Sequence, residues 1–282
     1  MPRLLLGLGA LVSLTGCHLA PDVAPSPDPR PLETESASAQ RAAAQVPPAP
    51  PPDRAAPPDT TVLGGYAVFT GLGVYHGSEA PAHDGETWQA VTTVESGAVL
   101  RSVRLRVEAA RDEIVDSEAG PFTGRRVTTP ASIVDEFGWV EDPATLFVRR
   151  DAGPLPNGPV PMVMDSETMY LLESGVYPLT LDGAAYTLTV AADSSERGVV
   201  RRWRISLTAP DGTTQPVTHV PNRDGGHPRL LWAGDLDTDG RLDLVLDESW
   251  HYNVTVTVLY LSSEAAPGSL LRRVARHETT GC

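Results

Sequence analysis

The run Arg229-Leu230-Leu231-Trp232-Ala233-Gly234-Asp235-Leu236-Asp237-Thr238-Asp239-Gly240-Arg241-Leu242-Asp243-Leu244-Val245-Leu246-Asp247 decides how the rest of the chain is read. Its flanks, Arg229–Gly234 and Leu242–Asp247, are short and apolar and lack helical periodicity, so both read as β-strands. Between them four aspartates alternate with other residues, and Gly240 follows the third. A helix–loop–helix cation site needs a helix on each side and is disfavoured here. The stretch reads as strand, carboxylate-rich turn, strand.

The same texture extends on both sides. From about Val62 onward, runs rich in Val, Leu, Thr, Tyr and Trp alternate with clusters of Gly, Pro, Asp and Ser. Tyr66–Thr70, Thr87–Val94, Val99–Val107, Thr145–Arg149, Thr168–Leu172, Val176–Leu181 and Tyr186–Val190 read as strands. Asp182-Gly183 and Asp211-Gly212 mark hairpins, because these dipeptides tolerate positive φ at a tight turn. In Val200–Leu207, the residues Trp203, Ile205 and Leu207 share one face, and Arg202, Arg204 and Ser206 the other. Ser132–Glu136 is expected to form a short helical turn and Pro154–Pro161 a loop. Val254–Leu261 is the last strong strand. No repeat of propeller length is visible. The pattern predicts an all-β domain over residues 61–282, built as an antiparallel β-sandwich or related open sheet.

The aspartate spacing suits a hard cation. Asp235, Asp237 and Asp239 can turn inward, Gly240 permits the sharp turn, Arg241 can offer its backbone carbonyl, and Asp243 can close the shell. Carboxylates about 4–5 Å apart repel by about 1 kcal/mol per pair even in water, and a divalent ion offsets this. All-oxygen ligands favour Ca²⁺ over zinc or copper. Gly234 to Val245 resembles the calcium loop of FG-GAP/VCBS-type repeats, as in integrin-like β-propellers. The resemblance implies ligands at Asp235, Asp237, Asp239, the Arg241 carbonyl and Asp243, in a family that points to extracellular adhesion or binding. A propeller needs many copies and this chain shows one. The calcium role is therefore carried over and the propeller fold is not.

The N-terminal part reads differently. Residues 1–16 have a positive residue, Arg3, and an apolar core from Leu4 to Leu14 that is too short to span a bilayer, as in a secretion signal. Leu14-Thr15-Gly16-Cys17 resembles a bacterial lipobox, which implies cleavage before Cys17 and its lipidation. Residues 17–60 are rich in Pro, Ala, Ser, Asp and Glu and predict a disordered linker. In extended polyproline geometry it reaches on the order of 100 Å. His18, by resemblance to enterobacterial sorting signals, favours the outer membrane. Cys282 is the sole other cysteine, so a lipidated Cys17 leaves no intramolecular disulfide. The net charge of −14, with no lysine at all, argues against nucleic acid as a partner.

Signals for catalysis are weak. There is no His-Glu-x-x-His pair and no Gly-x-Ser-x-Gly elbow. His76, His83, His227 and His251 read as loop residues. Asp247, Glu248 and His251 could form an acid–base group, or serve as supporting and solvated residues. Asp165 with Glu167, or Asp135 with Glu136, could act as paired glycosidase carboxylates. The five tryptophans could include a sugar-stacking platform, but most are expected in the core. The reading is a lipid-anchored envelope protein with a structural calcium-binding domain, serving a binding or envelope-structural role toward a protein or glycan ligand. The alternative is a hydrolase acting on envelope polysaccharide or peptide. An exposed aromatic patch would favour binding, and a pocket of converging His and carboxylates would favour hydrolysis.

Overall fold

The computed structural model describes residues 64–94, 97–163, 174–194, 200–221, 224–225 and 229–281. The signal segment, Cys17, the Pro-rich stretch, the Thr168–Leu172 strand, Asp165, Glu167, His227 and Cys282 lie outside these residues. Among the described residues there is no helix. The strands are numbered β1 to β18 along the chain, and every strand pairing is antiparallel.

A five-stranded sheet has the order β1 (Tyr66–Thr70), β9 (Ala144–Arg150), β3 (Thr87–Val94), β4 (Gly97–Arg104), β10 (Gly158–Val160). A three-stranded sheet has the order β2 (Gly73–Tyr75), β6 (Gly124–Thr128), β5 (Arg106–Ala110). β7 (Ile133–Val134) and β8 (Val140–Glu141) form a separate two-stranded arm. Two four-stranded meanders complete the domain. The first is β11 (Gly175–Leu181), β12 (Ala184–Ser194), β13 (Val200–Thr208), β14 (Thr214–Val220). The second is β15 (Arg229–Gly234), β16 (Asp243–Asp247), β17 (Val254–Leu261), β18 (Arg272–Thr280).

The second meander lies between two other layers. On one face Leu230, Leu244, Leu246, Val256 and Val258 pack with Leu188, Trp203, Ile205 and Leu207 of the first meander. On the other, Trp232, Val245, Leu259 and Val274 pack with Val68, Val91, Leu100 and Val148 of the five-stranded sheet. That sheet in turn buries Phe69, Trp88 and Phe147 with Leu105 and Val127, next to the three-stranded sheet. Phe69 and Phe147 stack with ring centroids 4.6 Å apart. Four sheets are thus layered, and the inner two have apolar side chains on both faces. This explains β16, in which all five residues are buried and Leu244-Val245-Leu246 does not alternate with polar residues.

The sandwich-type expectation holds, with several local differences. The predicted strand Val99–Val107 is broken at Leu105, where the chain passes from the five-stranded to the three-stranded sheet. Leu105 is buried there, and its backbone pairs with Gly85 and Glu86. The loop expected over Pro154–Pro161 contains edge strand β10. Ser132–Glu136 is not a helical turn. Asp135 hydrogen-bonds forward to backbone N–H groups, and Gly138 at φ 85° reverses the chain. The Asp182-Gly183 hairpin is present, with φ of 47° and 83° at its two turn residues.

The end of β18 is tied to the loop after β2. Thr280 N–H donates to the Glu79 carboxylate at 2.9 Å, and His277 Nε2 lies 2.9 Å from the Glu79 carbonyl. Close by, His76 Nδ1 pairs with the buried Asp112 carboxylate. That hydrogen bond raises the His76 pKa above its ordinary value, with Glu79 and the Thr280 backbone adding to the effect. Burial opposes ionisation of Asp112, but His76 and the Ile114 N–H outweigh it and hold its pKa low. A raised histidine stabilises the fold below its unfolded pKa of about 6.5 and loses this as pH rises through the folded value. A lowered aspartate stabilises above its unfolded value of about 3.9 and loses this as pH falls. The pair therefore contributes most between about pH 4 and 6.5. Buried His277, lowered by desolvation, works in the opposite sense, so the effect is read as a difference. The melting-temperature gap between wild type and His76→Gln is expected to be larger at pH 5.5 than at pH 8.5. Equal gaps at both values would refute the ion pair.

Candidate metal centre

The aspartate loop closes the β15–β16 hairpin. Two leucines pin it from opposite sides. Leu236 is buried among the side chains shared with the five-stranded sheet, and Leu242 among those shared with the first meander. Alternate residues are consequently held away from both cores. One carboxylate oxygen from each of Asp235, Asp237 and Asp239 falls within 4.8 Å of the others. The backbone wraps these groups: Asp235 Oδ1 accepts the Asp239 N–H at 3.0 Å and Oδ2 the Gly240 N–H at 2.9 Å. Thr238 and Gly240 adopt positive φ, 63° and 80°. Gly240 bears this without strain, whereas a β-branched threonine there is uncommon.

Asp243 lies at the base of the loop, fully buried. Its oxygens accept the Leu236 N–H at 2.8 Å, the Ser262 N–H at 2.8 Å and the Ser262 hydroxyl at 2.9 Å. Burial pushes its carboxyl up to about 8, and the negative charge of Asp237 adds to this against the pull of those donors. Arg241, expected to offer its carbonyl, also turns its guanidinium onto Asp239 Oδ2 at 2.7 Å and the Ser262 carbonyl at 2.9 Å. With all groups ionised, the four carboxylates of the loop and the one guanidinium, which pairs with Asp239, sum to a formal charge of −3.

Two observations mark a deficit of positive charge. The Ser262 hydroxyl lies within 3.1 Å of both Asp239 oxygens and of Asp243 Oδ1, yet its single hydrogen can satisfy one acceptor. Asp237 Oδ2 accepts the Ser263 hydroxyl, but Asp237 Oδ1 is buried with no hydrogen-bond partner. Burial, with Asp239 and Asp235 nearby, raises the Asp237 pKa. An acceptor-only carboxylate oxygen left bare in this way fits a hard cation. Ser262 and Ser263 had no signal in the sequence: they follow β17, some twenty positions downstream, and reach the loop only through sheet pairing.

The groups considered for acid–base chemistry are engaged separately. Asp247 accepts from Arg229 and Ser249, Glu248 accepts the Tyr260 hydroxyl, and His251 pairs with Asn253. His76 is tied to Asp112, and Asp135 to backbone N–H groups. Trp88, Trp203 and Trp232 are buried, while Trp139 is exposed. Compared with known proteins, the chain matches no family model, no curated protein and no solved structure.

Proposed function

We propose that this protein is a lipid-anchored extracytoplasmic lipoprotein, held at the bilayer through Cys17, whose β-domain binds one structural Ca²⁺ and serves a binding role in the envelope. The observation that carries the metal reading is the convergence of Asp235, Asp237 and Asp239 around a bare, buried Asp237 oxygen. Asp235, Asp237, Asp239, the Arg241 carbonyl and Asp243 would hold the ion. When bound, it supplies charge neutralisation to the loop. The chain's own contribution is rigidity: Leu236 and Leu242 seat the loop, and Ser262 and Ser263 orient the carboxylates. The exposed aromatic side chains of the β7–β8 arm support a binding role.

Calcium titration tests the metal. For a Kd of order 10⁻⁴–10⁻³ M, about 10 mM Ca²⁺ adds roughly 1.4–2.7 kcal/mol. That corresponds to a rise of about 3–10 °C in melting temperature for a domain of this size. Asp237→Ala is expected to abolish the rise, and a flat titration of the wild type would sink the proposal. The anchor is tested separately: Cys17→Ser should move the protein from the membrane to the soluble fraction. A variant that still sediments with membranes would argue against lipidation.

A further inference from the structure

We propose that the β7–β8 arm docks an arginine- or lysine-bearing segment of a partner protein. This names a surface for the binding role proposed above and is independent of the calcium. Phe137 and Trp139, 78% and 74% exposed, are the most exposed of the large hydrophobic residues described. They are nonetheless held in place. Asp135 Oδ1 accepts the Phe137 N–H at 2.9 Å and the Trp139 N–H at 2.8 Å, and the Asp135 N–H donates to the Trp139 carbonyl at 3.0 Å. The base of the arm is cemented by Asp142, which accepts from the Thr129 and Ser132 hydroxyls and the Ala144 N–H. Much of the ordering cost that docking would otherwise carry is therefore met on folding.

Charge selects the partner. From Ile133 to Asp142 the arm carries Asp135, Glu136, Glu141 and Asp142 and no cation. Arg126, whose guanidinium lies beside Gly138, is itself paired with Glu108. Strand alternation puts Ile133, Trp139 and Glu141 on one face of the arm, with Ile133 opposite Glu141. An exposed indole beside a carboxylate suits a guanidinium or ammonium, through cation–π attraction and a charged hydrogen bond. The same acids repel an anionic lipid surface and the arm of a second copy.

The test uses the whole protein and a synthetic peptide of alternating arginine and leucine, followed by tryptophan emission and calorimetry in chelator and again in calcium. Saturable binding is expected in both buffers. Trp139→Ala, and Glu136→Gln with Glu141→Gln, should each weaken it about tenfold. Melting temperatures should stay within about 1 °C of wild type, as the side chains are exposed. Affinity unchanged in both variants would mean general attraction to an acidic chain and would overturn the proposal. So would Trp139-dependent binding to phosphatidylcholine vesicles without peptide binding, or Trp139-dependent self-association.

Discussion

Asp243→Ala is expected to destabilise the folded protein by about 4 kcal/mol, since each buried donor left unpaired costs about 1–3 kcal/mol. Truncation strands two donors at the base of the loop, the Leu236 N–H and the Ser262 N–H, while the Ser262 hydroxyl keeps Asp239 as an acceptor. Asp243 is fully buried at the head of β16, so water does not replace its oxygens without opening the hairpin. Urea unfolding in chelator isolates this loss from any effect of an ion. Asp243→Asn keeps one acceptor oxygen but turns an amide N–H₂ toward a backbone donor, and should lose roughly half as much. A loss below about 1 kcal/mol for alanine would show that these bonds do not hold the loop.

Gly234→Ala should cost about 3 kcal/mol, at the upper end for an overpacked core, and should weaken calcium binding with it. A Cβ at this position would lie 2.0 Å from the Pro161 carbonyl oxygen and 2.8 Å from ring carbons of Trp232. Neither neighbour yields easily. The Pro161 carbonyl accepts the Asp235 N–H at 3.1 Å, Val163 N–H donates to the Ala233 carbonyl at 2.9 Å, and Trp232 is buried. Relief of the clash therefore drags Asp235, the first carboxylate of the loop. Urea unfolding and calcium titration together check this. Wild-type stability in the alanine variant would mean that the Pro161 segment does not hold its place against β15.

Much of this architecture was readable from residues alone, and the failures have physical causes. β1, β3 and β17 match the expected limits of Tyr66–Thr70, Thr87–Val94 and Val254–Leu261, because apolar runs bounded by Gly, Asp and Ser are local signals. β18 was not anticipated. Arg272-Arg273-Val274-Ala275-Arg276-His277-Glu278-Thr279-Thr280 is mostly polar, and pairing with β17 makes it a strand. β10 hid in a Pro/Gly stretch because an edge strand of three residues needs little β-propensity. The layering left one trace, the unbroken Leu244-Val245-Leu246. The aspartate triplet was legible because its spacing is local, whereas Ser262 and Ser263 reach it only through the register of the sheet.

The layer at the middle of the stack is made after both of its neighbours. The five-stranded sheet and the first meander are both complete before Arg229 is made, and each then presents a bare apolar face. Neither face can be covered until β15 to β18 arrive. A chain cut before Arg229 would carry two sticky surfaces and no filling, so the segment from Arg229 to Thr280 governs solubility for what precedes it.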